Sequence, residues 1–176
     1  MVRVFLRHAA TEYNETNRWL GKTNQKLSPK GLVQAQQVAK ELATYRFAII
    51  YTSPLSRAVQ TAEMVAGCQA GSCRVEVLPD LAERGFGELE GCIKLETDRR
   101  NLDQLPTVEP AQDFDRRLQR VWRGLDPELA NILIVSHSTV FARMVALGLI
   151  QTPAGRNRLE NAEYTFLSSR FLKEDK

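Results

Sequence analysis

Two short apolar runs, each closed by a histidine, constrain this chain more than any other feature. Val2-Arg3-Val4-Phe5-Leu6-Arg7 leads into His8, and Ile132-Leu133-Ile134-Val135-Ser136 leads into His137. Runs this short and this rich in Val, Ile and Leu read as buried strands of a parallel sheet. His8 and His137 are the chain's only two histidines, 129 positions apart (137 minus 8). Open α/β sheets place their ligands at the carboxyl ends of the strands, so both imidazoles can converge on one crevice. Either histidine alone reads as an ordinary loop residue; the pair, with Arg7 beside one of them, reads as a site.

The intervening sequence fits that frame. Ser28-Pro29-Lys30-Gly31 marks a helix start, with Ser28 as N-cap and Pro29 at the first helical position. Leu32, Ala35, Val38, Ala39 and Leu42 follow on one face at helical spacing. Residues 47–51 read as a strand ending in Thr52-Ser53-Pro54, 56–65 as a helix, and 75–78 as an alternating strand. A surface excursion with a short helix near 94–101 precedes a helix over 111–125, which buries Phe114, Leu118, Val121 and Trp122. After the second histidine come a helix over 139–148 and an alternating segment over 164–172. Strand–helix–strand order predicts an α/β fold, a three-layer α/β/α sandwich with a mostly parallel central sheet. The expected organisation is a single domain over 1–176 with a short cap-like excursion at about 84–110.

Composition excludes several classes. With 43% hydrophobic and 26% charged residues the chain matches a globular protein, and a net charge of +3 gives no reason to expect nucleic-acid binding. No apolar stretch approaches the ~20 residues that span a bilayer, and the N-terminus does not read as a signal peptide. The expectation is a cytoplasmic protein with no membrane partner. Cys68, Cys73 and Cys92 fit neither a redox pair nor a zinc knuckle and read as free thiols.

Five motifs then appear in a fixed order: Arg7-His8-Ala9-Ala10-Thr11-Glu12-Tyr13-Asn14; Gly21-Lys22-Thr23-Asn24 with Leu27-Ser28-Pro29-Lys30-Gly31-Leu32-Val33-Gln34-Ala35; Ser53-Pro54-Leu55-Ser56-Arg57-Ala58-Val59-Gln60-Thr61-Ala62; Leu81-Ala82-Glu83-Arg84-Gly85-Phe86-Gly87-Glu88-Leu89-Glu90-Gly91; and Val135-Ser136-His137. Together they resemble the histidine phosphatase superfamily (phosphoglycerate mutase-like, branch 1), in particular its small phosphatases of the α-ribazole phosphatase kind. Each motif alone is weakly specific, but five in order cover most of the chain.

The resemblance implies a phosphomonoester hydrolase acting through a phosphohistidine on His8, with no metal and no cofactor. Arg7 and Arg57 each carry a planar fork of donors suited to a phosphate dianion, and a protonated His137 adds a third positive group. Asn14 and Thr11 complete the expected phosphate-binding set. Two arginines beside His8 disfavour its imidazolium, which leaves a ring nitrogen free to attack phosphorus. The resemblance places the proton donor to the leaving group at Glu83, although Asp80, Glu88 and Glu90 lie close by. The expected partner is a small phosphorylated metabolite, and the expected state a monomer or homodimer. Ser28 to Gly31 reads mostly as helix capping, which says little about chemistry, and Gln34-Ala35 as packing rather than catalysis.

Ala9 and Ser138 depart from the family pattern, which has glycine at both places. A positive φ at position 9 would strain alanine by about 1 kcal/mol, and a methyl aimed at the phosphate would crowd it. The excursion after Gly91 is short where phosphoglycerate mutases carry a longer insertion, and an open site favours transfer to water. Two other enzymatic readings are a mutase and a protein phosphohistidine phosphatase, the latter generally without the glutamate. A weakened phospho-ligand-binding module is the non-enzymatic reading. Arg99, Arg100 and Arg116 read as a solvated charged face or an outer anionic subsite.

Overall fold

The computed structural model describes residues 2–126, 129 and 131–168. In chain order they form β1 (Arg3–Arg7), α1 (Glu12–Glu15), α2 (Pro29–Leu42), β2 (Ile49–Thr52), α3 (Ser56–Gly67), β3 (Arg74–Val77), α4 (Glu96–Asn101), α5 (Ala111–Gly124), β4 (Ile132–Ser136), α6 (Ser138–Ala146) and β5 (Tyr164–Phe166). The five strands make one sheet in the order β3-β2-β4-β1-β5, parallel except for β5.

Alternation along the strands divides the core in two. Val4, Leu6, Ile50, Leu133 and Val135 face α2 and α3, packing on Val38, Leu42, Ala58, Ala62 and Val65. Phe5, Ile49, Tyr51, Ile132 and Ile134 face α5 and α6, against Phe114, Leu118, Trp122, Phe141 and Met144. These layers are the expected three-layer α/β/α sandwich with a mostly parallel sheet. The mean hydrophobic contribution is the usual one: each fully buried Leu, Ile or Phe contributes roughly 1.5–3 kcal/mol by leaving water.

Two local expectations change. Leu32 is 36% exposed, because the close seating of Gly31 against the chain at Ala10 turns the first turn of α2 so that Gly31 is the buried residue. The C-terminal alternating segment forms β5 over Tyr164–Phe166, antiparallel to β1; residues 169–172 of that reading lie outside the described residues. The excursion contains α4 and several tight turns. Cys68, Cys73 and Cys92 are free. Among the described residues no helix is long and apolar enough to cross a membrane.

Strand order positions the site. β1 and β4 are parallel neighbours, with Arg7 opposite Ser136. The next residue of each strand is a histidine, so the two imidazoles emerge side by side at the carboxyl edge of the sheet.

Candidate active site

The His8 and His137 rings lie 5.0 Å apart, edge to face, and both are buried. His8 Nδ1 sits 2.7 Å from the Ala9 carbonyl oxygen, which can only accept, so Nδ1 carries the proton. Arg57 Nε, which can only donate, lies 3.2 Å from His8 Nε2. The two contacts agree on one tautomer, with the proton on Nδ1 and the Nε2 lone pair accepting from Arg57. Burial, then Arg57 and Arg7, hold the His8 imidazolium well below the usual histidine range.

Arg57 lies in the first turn of α3, and its guanidinium is fully buried. Its Nη1 and Nη2 donate to the carbonyls of Thr23 (2.9 Å) and Gly21 (2.7 Å). Among the described residues no carboxylate is hydrogen-bonded to it; burial draws its pKa down to about 10, opposed by the more distant charges of Glu83 and Glu90. The group is therefore a cation at neutral pH. Arg7 is held from behind by Leu159 O (2.8 Å) and Asn161 Oδ1 (3.2 Å), and its buried Nε has no partner among the described residues.

His137, expected to help hold phosphate when protonated, is disfavoured as a cation by the site itself. Burial, then Arg57, His8 and Arg7, push its imidazolium well below the ordinary range. Its Nε2 meets Ser53 Oγ at 2.7 Å, and its buried Nδ1 is without a partner among the described residues. It can act as a charged clamp only after a dianion supplies the countercharge.

Glu83 is the carboxylate at this cavity. Its Oε1 accepts from Arg84 N (2.9 Å) and its Oε2 from Thr139 N (3.3 Å) in the first turn of α6. The rival carboxylates are engaged or exposed. Asp80 pairs with Arg120, Glu88 is exposed, and Glu90 accepts from Lys22 N, Thr23 N, Thr23 Oγ1 and Phe86 N. Glu90 thereby shapes the 21–23 loop whose carbonyls anchor Arg57. Gly21 has φ +52° and a Cβ there would lie 2.0 Å from Glu90 Oε1, so both its backbone and its missing side chain are needed.

Asn14 borders the cavity. Thr11 does not: its hydroxyl caps α1 and binds Asn14 Oδ1 (3.1 Å), so it acts through Asn14. The side chain of Asn161, absent from the sequence expectations, joins His8 O (3.0 Å), Asn14 Oδ1 (3.2 Å) and Arg7. Gln34 and the Ser28 cap also prove closer to the chemistry than packing and capping imply. Gln34 Oε1 accepts from Ala10 N (3.0 Å), and Ser28 N donates to Ala10 O (3.0 Å). They brace the turn whose Ala9 carbonyl fixes the His8 tautomer.

The two departures from the family pattern are resolved by geometry. Ala9 has a negative φ, and its methyl packs with Leu27 and Ala35 behind the turn. Neither strain nor crowding arises. Ser138 opens α6 and lines the cavity.

The cavity has a volume of about 380 Å³. Beyond the phosphate end, Lys94 and Arg158 border it. Arg116, by contrast, is exposed and pairs with Asp113, Arg100 is exposed, and the Arg99 side chain lies outside the described part. Neither Arg100 nor Arg116 borders the cavity, in keeping with a solvated charged face at those two positions. Among the described residues, no group of three or more His, Cys, Asp or Glu side chains is placed to hold a metal ion.

Comparison with known proteins places this geometry. The family model of the histidine phosphatase superfamily (branch 1) matches residues 4–170. The chain is 30% identical to "Uncharacterized phosphatase PhoE" of Bacillus subtilis strain 168, over 75% of this chain and 69% of that one. It is 28% identical to a 2,3-bisphosphoglycerate-dependent phosphoglycerate mutase of Cytophaga hutchinsonii, over 77% and 71% respectively. Among solved structures, a "putative alpha-ribazole-5'-P phosphatase" of Escherichia coli K-12 superposes with a TM-score of 0.78 at 26% identity, covering 94% of this chain and 89% of that one. Phosphatases and mutases thus share the scaffold, and the chain belongs to the histidine phosphatase superfamily, branch 1.

Proposed function

We propose that this chain is a phosphomonoester hydrolase working through a phosphohistidine on His8. One observation carries the reading. Among the described residues no carboxylate is hydrogen-bonded to the buried Arg57 guanidinium, which donates to the unprotonated Nε2 of a buried imidazole, beside an unpartnered Nε donor on Arg7 and an unpartnered ring nitrogen on His137. Arg57 has carboxylates only at a distance and Arg7 only a long contact to Glu160 (3.9 Å); buried cations so thinly compensated are costly, and a dianion in the adjoining cavity is the natural partner.

In the proposed cycle the phosphate of the substrate meets Arg7, Arg57 and Asn14, Arg57 Nε transfers its hydrogen bond from His8 Nε2 to a phosphate oxygen, and His137 takes a proton from solvent as the negative charge arrives and returns it when phosphate leaves. His8 Nε2 attacks phosphorus, the bond to the leaving oxygen breaks, and protonated Glu83 gives its proton to that oxygen. Water then attacks the phosphohistidine, Glu83 takes a water proton, and the P–N bond breaks to regenerate His8. Preorganised donors around the equatorial oxygens supply most of the stabilisation.

Glu83 favours phosphomonoesters over phosphoramidates, whose nitrogen leaves easily. The short excursion after Gly91 leaves water access, which supports hydrolysis over mutase transfer. The test is a panel of small phosphomonoesters, with mutase substrates included and His8→Ala and Glu83→Gln as controls. Hydrolysis lost in His8→Ala supports the reading. Efficient 2-/3-phosphoglycerate interconversion with negligible hydrolysis would make the chain a mutase, and phosphate binding without turnover would make it a binding module.

A further inference from the structure

Glu83 stands on a segment with little regular structure, yet its backbone is bound at every step. Four consecutive carbonyls, of Asp80, Leu81, Ala82 and Glu83, each accept from a side chain. Arg117 Nη1 donates to Asp80 O (2.7 Å) and Ala82 O (2.6 Å), Arg117 Nη2 to Glu83 O (3.0 Å), and Ser136 Oγ to Leu81 O (2.8 Å). Arg117 completes its set with Glu109, Nε to Oε1 at 2.7 Å and Nη2 to Oε2 at 3.0 Å. All five N–H bonds of the guanidinium are thus engaged. Its flat face lies 4.6 Å from the Phe114 ring centre.

Glu109 precedes α5 and Arg117 lies two turns into it, with its side chain directed back toward the helix start. Glu109 also accepts from Gly85 N (2.9 Å), beyond the other end of the Glu83 segment. Burial alone would raise its pKa, but the bonds from Arg117 and Gly85 bring it down to about 2, so it is an anion throughout the working range. Glu109 fixes the Arg117 fork, and the fork fixes residues 80–83.

We infer that Arg117 and Glu109 are a positioning pair that aims the Glu83 carboxyl at the leaving oxygen of the substrate. Neither touches the cavity end where His8 and Arg57 meet, so both act through Glu83. The inference rests on the reading of Glu83 as proton donor. Such supporting bonds control how well an acid is aligned in the transition state, and a misaligned acid forfeits much of the 10²–10⁴-fold that general acid catalysis contributes.

The test compares an aryl phosphate, p-nitrophenyl phosphate, with an alkyl phosphate, glycerol phosphate. An aryloxide leaves without help, whereas an alkoxide needs a proton. The quantity is kcat/KM, which reports the steps up to phosphorylation of His8. Glu109→Gln and Arg117→Lys are expected to lower alkyl kcat/KM about 10–100-fold and aryl kcat/KM less than about threefold. Adding Glu109→Gln to Glu83→Gln should then cost little more, because both act on one event. Arg117→Lys keeps the charge and stands in if Glu109→Gln folds poorly. If Glu83→Gln discriminates between the substrates and the pair variants lower both equally, the pair is structural and the inference is overturned, while the role of Glu83 stands. If Glu83→Gln shows no discrimination, the acid role fails and the positioning role falls with it.

Discussion

Gly31→Ala should damage both stability and turnover, although residue 31 touches no part of the cavity. A Cβ at this position would lie 1.9 Å from Ala10 O and 2.9 Å from Ala10 C. Ordinary contact begins near 3.4 Å, so α2 and the turn after His8 must separate by roughly 1.5 Å. The clash is with backbone, which cannot swing aside as a side-chain tip can. Separation would stretch the bonds that Ser28 N (3.0 Å) and Ser28 Oγ (3.3 Å) make to the same oxygen. Two lost hydrogen bonds at about 1 kcal/mol each, plus 1–3 kcal/mol of overpacking, give a destabilisation of about 3–5 kcal/mol. At about 2–4 °C per kcal/mol for a chain of this size, the melting temperature should fall by about 6–20 °C. The displaced turn carries Ala9 O, which holds the His8 proton on Nδ1, so kcat/KM should fall as well. Calorimetry and steady-state kinetics on purified Gly31→Ala provide the check. An unchanged melting temperature with unchanged kcat/KM would refute the close approach and the bracing role given to α2.

Three further outcomes follow from the same geometry. The folded-state pKa values of His8 and His137 lie below the unfolded value near 6.5, so the unfolded chain binds more protons as pH falls; stability is full above that pH and declines below it, by at most about 2.7 kcal/mol per pH unit for the two together. Urea titrations between pH 8 and 5 measure this, and a midpoint that does not fall on acidification would contradict the burial of neutral imidazoles. Ala9→Gly should cost about 1 kcal/mol by removing a methyl from the Leu27 and Ala35 contact, with little change in kcat/KM; a large kinetic gain would show that the methyl crowds the phosphate. Glu90→Gln should weaken the anchoring of the 21–23 loop and with it Arg57, lowering stability by about 1–3 kcal/mol and raising KM for phosphate esters; unchanged KM would detach Glu90 from the site.

The parts of the site that were legible in the sequence are those with a local pattern. An apolar run ending in His announces a strand end, and parallel pairing of two such strands sets His8 beside His137. Arg57 and Glu83 were legible through motif resemblance, and the structure brings both to the cavity. Asn161 was not, because its bonds to His8 and Asn14 cross the whole chain and leave no periodicity. Arg117 sits on an amphipathic helix where a basic residue ordinarily faces water, and only the tertiary structure shows it buried against backbone carbonyls. That burial opposes the charged form of His137 is not legible in the sequence, because burial depth is a property of the folded chain. The bond of Gln34 to Ala10 N is not legible in the sequence because its partner lies outside α2.

The central claim is that His8 Nε2 is the atom that carries the phosphoryl group, since Nδ1 is committed to Ala9 O. Rapid quenching of the protein with a ³²P-labelled phosphomonoester, followed by phosphoamino-acid separation, tests it most directly. The account predicts acid-labile, base-stable phosphate on Nε2 of His8, formed within a turnover and absent from His8→Ala. Phosphate on Nδ1, on another residue, or hydrolysis proceeding with no protein-bound phosphate would contradict it.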